Sequence, residues 1–152
     1  MMDIRFSGST CVSIMTLGQK LFCVNVGDSR GIIVKYGNEG KIVAQAISRD
    51  QKPSQNDEAT RIITSGGRID SFRDPDKNPI GPLRVWLKSE DIPGLAMTRS
   101  FGDEVASRVG VTAEPGKFSQ FSLILVNYRF SHHDHLRVYY IYRDTGAGPE
   151  QG

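Results

Sequence analysis

The chain has 152 residues, 38% of them hydrophobic, and 19 Lys and Arg against 17 Asp and Glu give it a net charge of +2. That length suits one ordinary domain and leaves no room for two. The near-neutral balance gives no electrostatic reason to expect nucleic acid, and no apolar run approaches the roughly 20 residues needed to cross a bilayer, so no membrane partner is expected.

Met1 to Phe6 carries Asp3 and Arg5 and no apolar stretch behind a basic start. It does not read as a secretory signal, and an intracellular chain, cytoplasmic and/or nuclear, is expected. Thr10 to Leu17 is rich in beta-branched residues and reads as a strand, Gly18-Gln19-Lys20 as a turn, and Leu21 to Val26 as a second strand. A tight turn there sets Cys23 opposite Ile14 rather than Cys11, so Cys11 and Cys23 are expected to be two reduced, buried thiols. Gly27-Asp28-Ser29-Arg30-Gly31 interrupts the apolar pattern, Ile32 to Tyr36 resumes it, Gly37-Asn38-Glu39-Gly40 turns, and Ile42 to Ile47 closes a meander of about four antiparallel strands.

A helix is predicted from about Gln55 to Ser65. Ser54 or Asn56 is its candidate N-cap, Glu58 lies near its start, Ala59, Ile62 and Ile63 share a face, and Gly66 suits a left-handed stop. Asp70 to Pro82 holds three of the seven prolines and reads as an exposed loop, Leu83 to Leu87 as a strand and Lys88 to Pro93 as another loop. Phe118 to Val126 and His135 to Tyr142 are candidate strands, and Thr145 to Gly152 a frayed end. All three histidines and four of the five tyrosines lie after Lys117, so the composition changes near Gly116.

Asp28 sits between two apolar strands, where a carboxylate can project from the end of a sheet towards a hard cation. A turn residue accepting backbone hydrogen bonds is the simpler reading of such an Asp. Asp91-Ile92-Pro93-Gly94-Leu95-Ala96-Met97-Thr98-Arg99-Ser100-Phe101-Gly102-Asp103 reads alone as a structural loop, with Arg99 and Asp103 a structural pair rather than catalytic groups. In His132-His133-Asp134-His135 neighbouring residues on a strand point to opposite faces. At most His133 and His135 could converge, and with no further ligands suitably spaced the stretch reads as solvated.

Order and spacing say more. Ser7-Gly8-Ser9-Thr10, then Val24-Asn25-Val26-Gly27-Asp28-Ser29-Arg30-Gly31, Ser48-Arg49-Asp50-Gln51-Lys52-Pro53, Glu58, Arg61-Ile62, Gly66-Gly67-Arg68-Ile69 and Leu95 to Asp103 follow in succession. This succession resembles the metal-dependent protein phosphatases of type 2C, the PPM family, over about residues 7–115, and Arg84-Val85-Trp86-Leu87 ahead of Asp91-Ile92-Pro93-Gly94 looks like forms found in plants and protists.

The resemblance implies an α+β fold, part of a four-layer α/β/β/α sandwich of two antiparallel sheets, incomplete at both ends. It implies a partial phosphatase domain over residues 1–116 and a divergent tail over 117–152. It also implies hydrolysis of phosphoserine and phosphothreonine in phosphorylated proteins by a water activated between two Mg or Mn ions, which lower its pKa and neutralise the phosphoryl oxygens. Of the family's metal ligands only Asp28 can be matched, to an aspartate that binds an additional, weaker ion. The Asp-Gly-His-Gly, Asp-Gly and Asp-Asn segments that hold the main pair are not found, and neither are the phosphate-gripping arginine and the histidine proposed as general acid. No catalytic residue is therefore assigned and the substrate-binding residues are unknown. The chain is expected to be a fragment, inactive alone, and the alternative is a non-catalytic binding module that engages a kinase or phosphoprotein.

Overall fold

A computed structural model describes residues 3–17, 20–36, 42–116, 119–122 and 140–141. The hairpin forms as the sequence predicts. Strands β2 (Cys11–Leu17) and β3 (Lys20–Val26) pair antiparallel with Ile14 opposite Cys23, after a two-residue β1 (Gly8–Ser9). Strands β4 (Arg30–Tyr36) and β5 (Ile42–Ala46) make a second hairpin. Residues 18–19, 37–41 and 145–152, where turns and a frayed end are predicted, lie outside the described residues.

The four strands do not form one meander. Strand β3 is flanked by β2 and β10 (Ser119–Ser122), whereas β4 is flanked by β5 and β11 (Tyr140–Ile141), so the hairpins belong to different sheets. The Gly27–Ser29 turn lets the chain leave one sheet and enter the other instead of adding a neighbouring strand. The two sheets meet face to face over Leu21, Cys23 and Ile47, with Val12, Ile14 and Ile33 packed around them. Gly31 marks the closest approach: a Cβ there would press on Ile47, Val12 and the Cys23 sulfur. Cys23 is buried in this core, but Cys11 is exposed at the start of β2, contrary to expectation, and both are free thiols.

Helix α1 runs Asn56–Thr64 and buries Glu58 and Ile62. Its N-cap is Gln55, with no side-chain cap, rather than Ser54 or Asn56. It ends as predicted, with Gly66 at φ +85° and the Gly67 amide donating to the Ile62 carbonyl, a bond that satisfies a carbonyl of the last turn.

The segment read as an exposed loop folds instead into a hairpin of β6 (Arg68–Arg73) and β7 (Pro79–Trp86). Its turn is only Asp74–Asn78, where the Asp74 carboxylate accepts from both the backbone and side-chain amides of Asn78. The prolines that suggested a loop are tolerated because Pro79 opens its strand and Pro82 falls where the register shifts between Asp70 and Phe72. Strand β8 (Pro93–Leu95) completes this third sheet. Ile62, Val85, Ala106, Val109 and Val111 join α1, β7 and the short α2 (Glu104–Ser107) in a second core. Strand β9 (Phe101–Gly102) pairs with β1 and ties the first described residues to the front of α2.

The described residues are thus mixed α and β with antiparallel strand pairing, as the predicted fold class requires. Of the two late strands predicted, residues 119–122 and 140–141 are strand, and the remaining residues of both, with His132 to Asp134 between them, lie outside the described residues. No helix among the described residues is long and apolar enough to cross a membrane.

Candidate functional site

Asp28 lies half-buried at the crossing from β3 to β4, where the chain passes between the two sheets. Gly27 precedes it at φ +104°, a left-handed conformation that a side chain would strain, with Thr10 packed directly against its Cα. Three neighbours fix this turn. The Asn25 side-chain amide donates to the Gly27 carbonyl at 3.1 Å and the Arg49 carbonyl at 3.0 Å. Gln51 accepts from the Gly27 amide at 2.6 Å through its Oε1. On the far side, the Ser29 and Thr10 hydroxyls share a hydrogen bond of 2.6 Å.

The strand that follows is anchored as firmly. Arg30 donates through Nε and Nη2 to the two Asp50 oxygens, each at 2.8 Å, and Lys52 approaches the same carboxylate at 3.6 Å. The Gly27 backbone beside Asp28 is therefore engaged at both its amide and its carbonyl. The Asp28 carboxylate accepts no hydrogen bond from another described residue, which leaves it free for a ligand.

Chemically this carboxylate can contribute one oxygen ligand to a hard cation. Mg needs near-octahedral coordination and holds its waters unless several oxygens converge. Among the described residues no group of three or more His, Cys, Asp or Glu is placed to hold a metal ion. The described donor set does not fit the pair of ions that the resemblance implies.

A second polar cluster lies across the turn from Asp28, and the sequence misread it. Arg99 does not pair with Asp103. Its guanidinium donates to Glu58 at 2.7 Å and to the Glu114 and Pro115 carbonyls at 2.8 and 3.0 Å, while Asp103 accepts from the Ser100 hydroxyl at 2.6 Å. Glu58 also accepts from Arg61 at 2.6 Å and from the Thr98 hydroxyl at 2.6 Å, with no exposed surface of its own. Burial would raise its pKa, but the hydrogen bonds from Arg61, Arg99 and Thr98 outweigh that and hold it at about 2.

Gln51 and Asn25 are the residues that sequence reasoning passed over. Each meets its partners across 24 to 26 positions of chain, a separation at which no local pattern signals contact. Both stand inside segments that carry the family resemblance, and Asn25 is the polar residue in the otherwise apolar Val24 to Val26, but nothing in either segment signals their contact.

Residues 3–120 match a family profile described as Protein phosphatase 2C. Probable protein phosphatase 2C 12 of Oryza sativa is 41% identical over 114 residues, which are 75% of this chain and 28% of that protein. Probable protein phosphatase 2C 35 of Arabidopsis thaliana is 33% identical over 127 residues, 74% of this chain and 36% of that protein. The chain thus spans about a third or less of the relatives it matches. Among solved structures, a serine-threonine phosphatase 2C from Toxoplasma gondii shares the fold with a TM-score of 0.64 at 18% identity, over 78% of this chain and 38% of that one. A C. elegans sex determining protein aligns with a TM-score of 0.57 at 27% identity, over 76% of this chain and 24% of that one.

Proposed function

Because the chain belongs to the protein phosphatase 2C family, we propose that it forms the central part of a unit that hydrolyses phosphoserine and phosphothreonine in phosphorylated proteins. The family is one of hydrolases, generally dependent on metal ions. The observation that carries the reading is the profile match over residues 3–120, supported by a described fold that follows the same family.

In this reading Asp28 supplies a single carboxylate ligand to Mg or Mn. The free acceptor oxygens of its carboxylate, next to a Gly27 whose amide and carbonyl are both held, support that role. Residues 1–116 carry the family part and residues 117–152 a divergent tail; the end of the profile match at residue 120 supports a boundary near Gly116. The two free thiols support a reducing, intracellular setting.

Among the described residues only one carboxylate is matched to an ion, and one alone cannot organise hydrolysis, so the 152 residues alone are expected to release no phosphate from a phosphothreonine peptide with Mn present. The polypeptide translated from the complete transcript of the same locus is expected to release it, and a chelator to stop that release. Failure of that longer product to turn over the peptide would sink the enzymatic reading. A second reading, a binding module that holds a phosphoprotein without hydrolysing it, is favoured by the single carboxylate at the turn. Capture of the phosphopeptide by the 152 residues without release would carry it.

A further inference from the structure

Asp28 is held in place by a residue far from it in sequence. Gln51, only 2% exposed, commits both its backbone and side-chain polar groups to the turn and its support. Its backbone amide donates to the Gly27 carbonyl at 3.1 Å, and its Oε1 accepts from the Gly27 amide at 2.6 Å. One side chain and its own backbone therefore bracket the peptide group on either side of Gly27. Its Nε2 donates to the Asn25 carbonyl at 3.0 Å, and its carbonyl accepts from the Thr98 amide at 2.9 Å.

Thr98 has no exposed surface and is itself committed on three sides. Its amide is given to Gln51, its carbonyl accepts from Arg61 at 2.8 Å, and its hydroxyl donates to Glu58 at 2.6 Å. From Glu58 the contacts continue through Arg99 to the Glu114 and Pro115 carbonyls, and the Gly116 amide returns to the Asn25 carbonyl at 3.0 Å. These hydrogen bonds close a ring that contains α1, the Leu95 to Asp103 segment and both ends of the Asp28 turn.

We infer that Gln51 is the positioning residue for the Asp28 carboxylate, and that Thr98, fixed by Glu58 of α1, is the anchor that sets Gln51. The inference rests on the reading of Asp28 as an ion ligand for its functional meaning, but its geometry stands without that reading. A carboxylate on a glycine turn can swing with the turn, and a buried residue whose backbone N–H holds the glycine carbonyl and whose side-chain oxygen holds the glycine amide removes that freedom. Other links in the ring hold whole elements together, whereas Gln51 alone touches the residue next to Asp28 through both a donor and an acceptor.

Amide hydrogen exchange, read residue by residue by NMR on the 152-residue chain, tests the inference. Gln51→Leu keeps the bulk and removes both side-chain bonds. It is expected to speed exchange at the Gly27 amide about tenfold, the size that follows from losing a hydrogen bond of typical net strength, while Val85 in the second core keeps its rate. Thr98→Val should loosen the same Gly27 amide severalfold and Thr98→Ser should not, since serine keeps the hydroxyl on Glu58.

Unchanged exchange at the Gly27 amide in Gln51→Leu would overturn the inference, as would an equal rise at Val85, which reports general loosening. Should Gln51→Leu fail to fold, the Thr98→Val and Thr98→Ser pair decides by the same comparison. Line broadening of the Asp28 signal by Mn in the unaltered chain is the separate check on the ligand reading. Its absence would remove the metal role of Asp28 and leave the exchange result standing.

Discussion

Glu58 has no exposed surface, and Arg61 and Arg99 close over it from two sides. Replacing it by glutamine leaves two guanidinium groups facing a neutral partner, and breaking a buried pair in this way costs about 3 to 5 kcal/mol. Equilibrium urea unfolding of Glu58→Gln should show that loss. The pH dependence has a definite sign. The folded pKa of about 2 lies below the ordinary 4.5, so the contribution of Glu58 is fully present above pH 4.5 and is lost as pH falls from there towards 2. The difference in urea midpoint between the unaltered chain and Glu58→Gln should therefore shrink across that window. A constant difference would show that Arg61 and Arg99 do not depress the Glu58 carboxyl. The sequence placed Glu58 correctly on a helix but paired Arg99 with its near neighbour Asp103. Local spacing favours a partner four positions away, and only the packing of α1 against the Leu95 to Asp103 segment brings one from 41 positions away.

At the scale of elements, helix α1 and the hairpin β6–β7 show what patterns detect and what they miss. Apolar residues at helical spacing and the glycine stop revealed α1 to within a residue at each end, because an amphipathic helix carries its signal in consecutive turns. Its cap was misplaced: Gln55 stands in extended backbone, at φ −87° and ψ 126°, without a side-chain oxygen on the first amides. Gln55→Ser is expected to add about 1 kcal/mol by supplying that oxygen, visible as a higher thermal midpoint. Ile62, fully buried between α1 and β7, should cost about 2 to 5 kcal/mol when cut to alanine, and Ile63 on the exposed face should cost far less in the same melt. The β6–β7 hairpin was hidden by its prolines and acidic residues. What stabilises it is not local: Trp86 donates to the Asp70 carbonyl at 2.9 Å, meets Phe72 edge to face at 5.2 Å and lies under the Arg68 guanidinium.

The described residues are built on two small cores, one between the facing sheets and one where α1, α2 and β7 meet. Among the described residues β2 is an edge strand of its sheet, and it carries Met15 and Leu17 at 58% and 68% exposure. A flat apolar edge recruits another strand, and an edge lysine blocks that pairing. The chain is expected to self-associate with rising concentration in sedimentation velocity, and Met15→Lys with Leu17→Lys should return it towards monomer; a concentration-independent monomer would refute this. The sequence alone determined the strand hairpin with Ile14 opposite Cys23, helix α1 and its stop, and the succession of motifs that identifies the family, because each is written in adjacent turns or a fixed order of residues. Tertiary structure decided the rest. It split four consecutive strands between two sheets, turned a proline-rich loop into a hairpin, gave Arg99 to Glu58, and set Gln51 over the Asp28 turn, because burial and hydrogen bonding between segments that are not adjacent in the chain outweigh what immediate neighbours prefer.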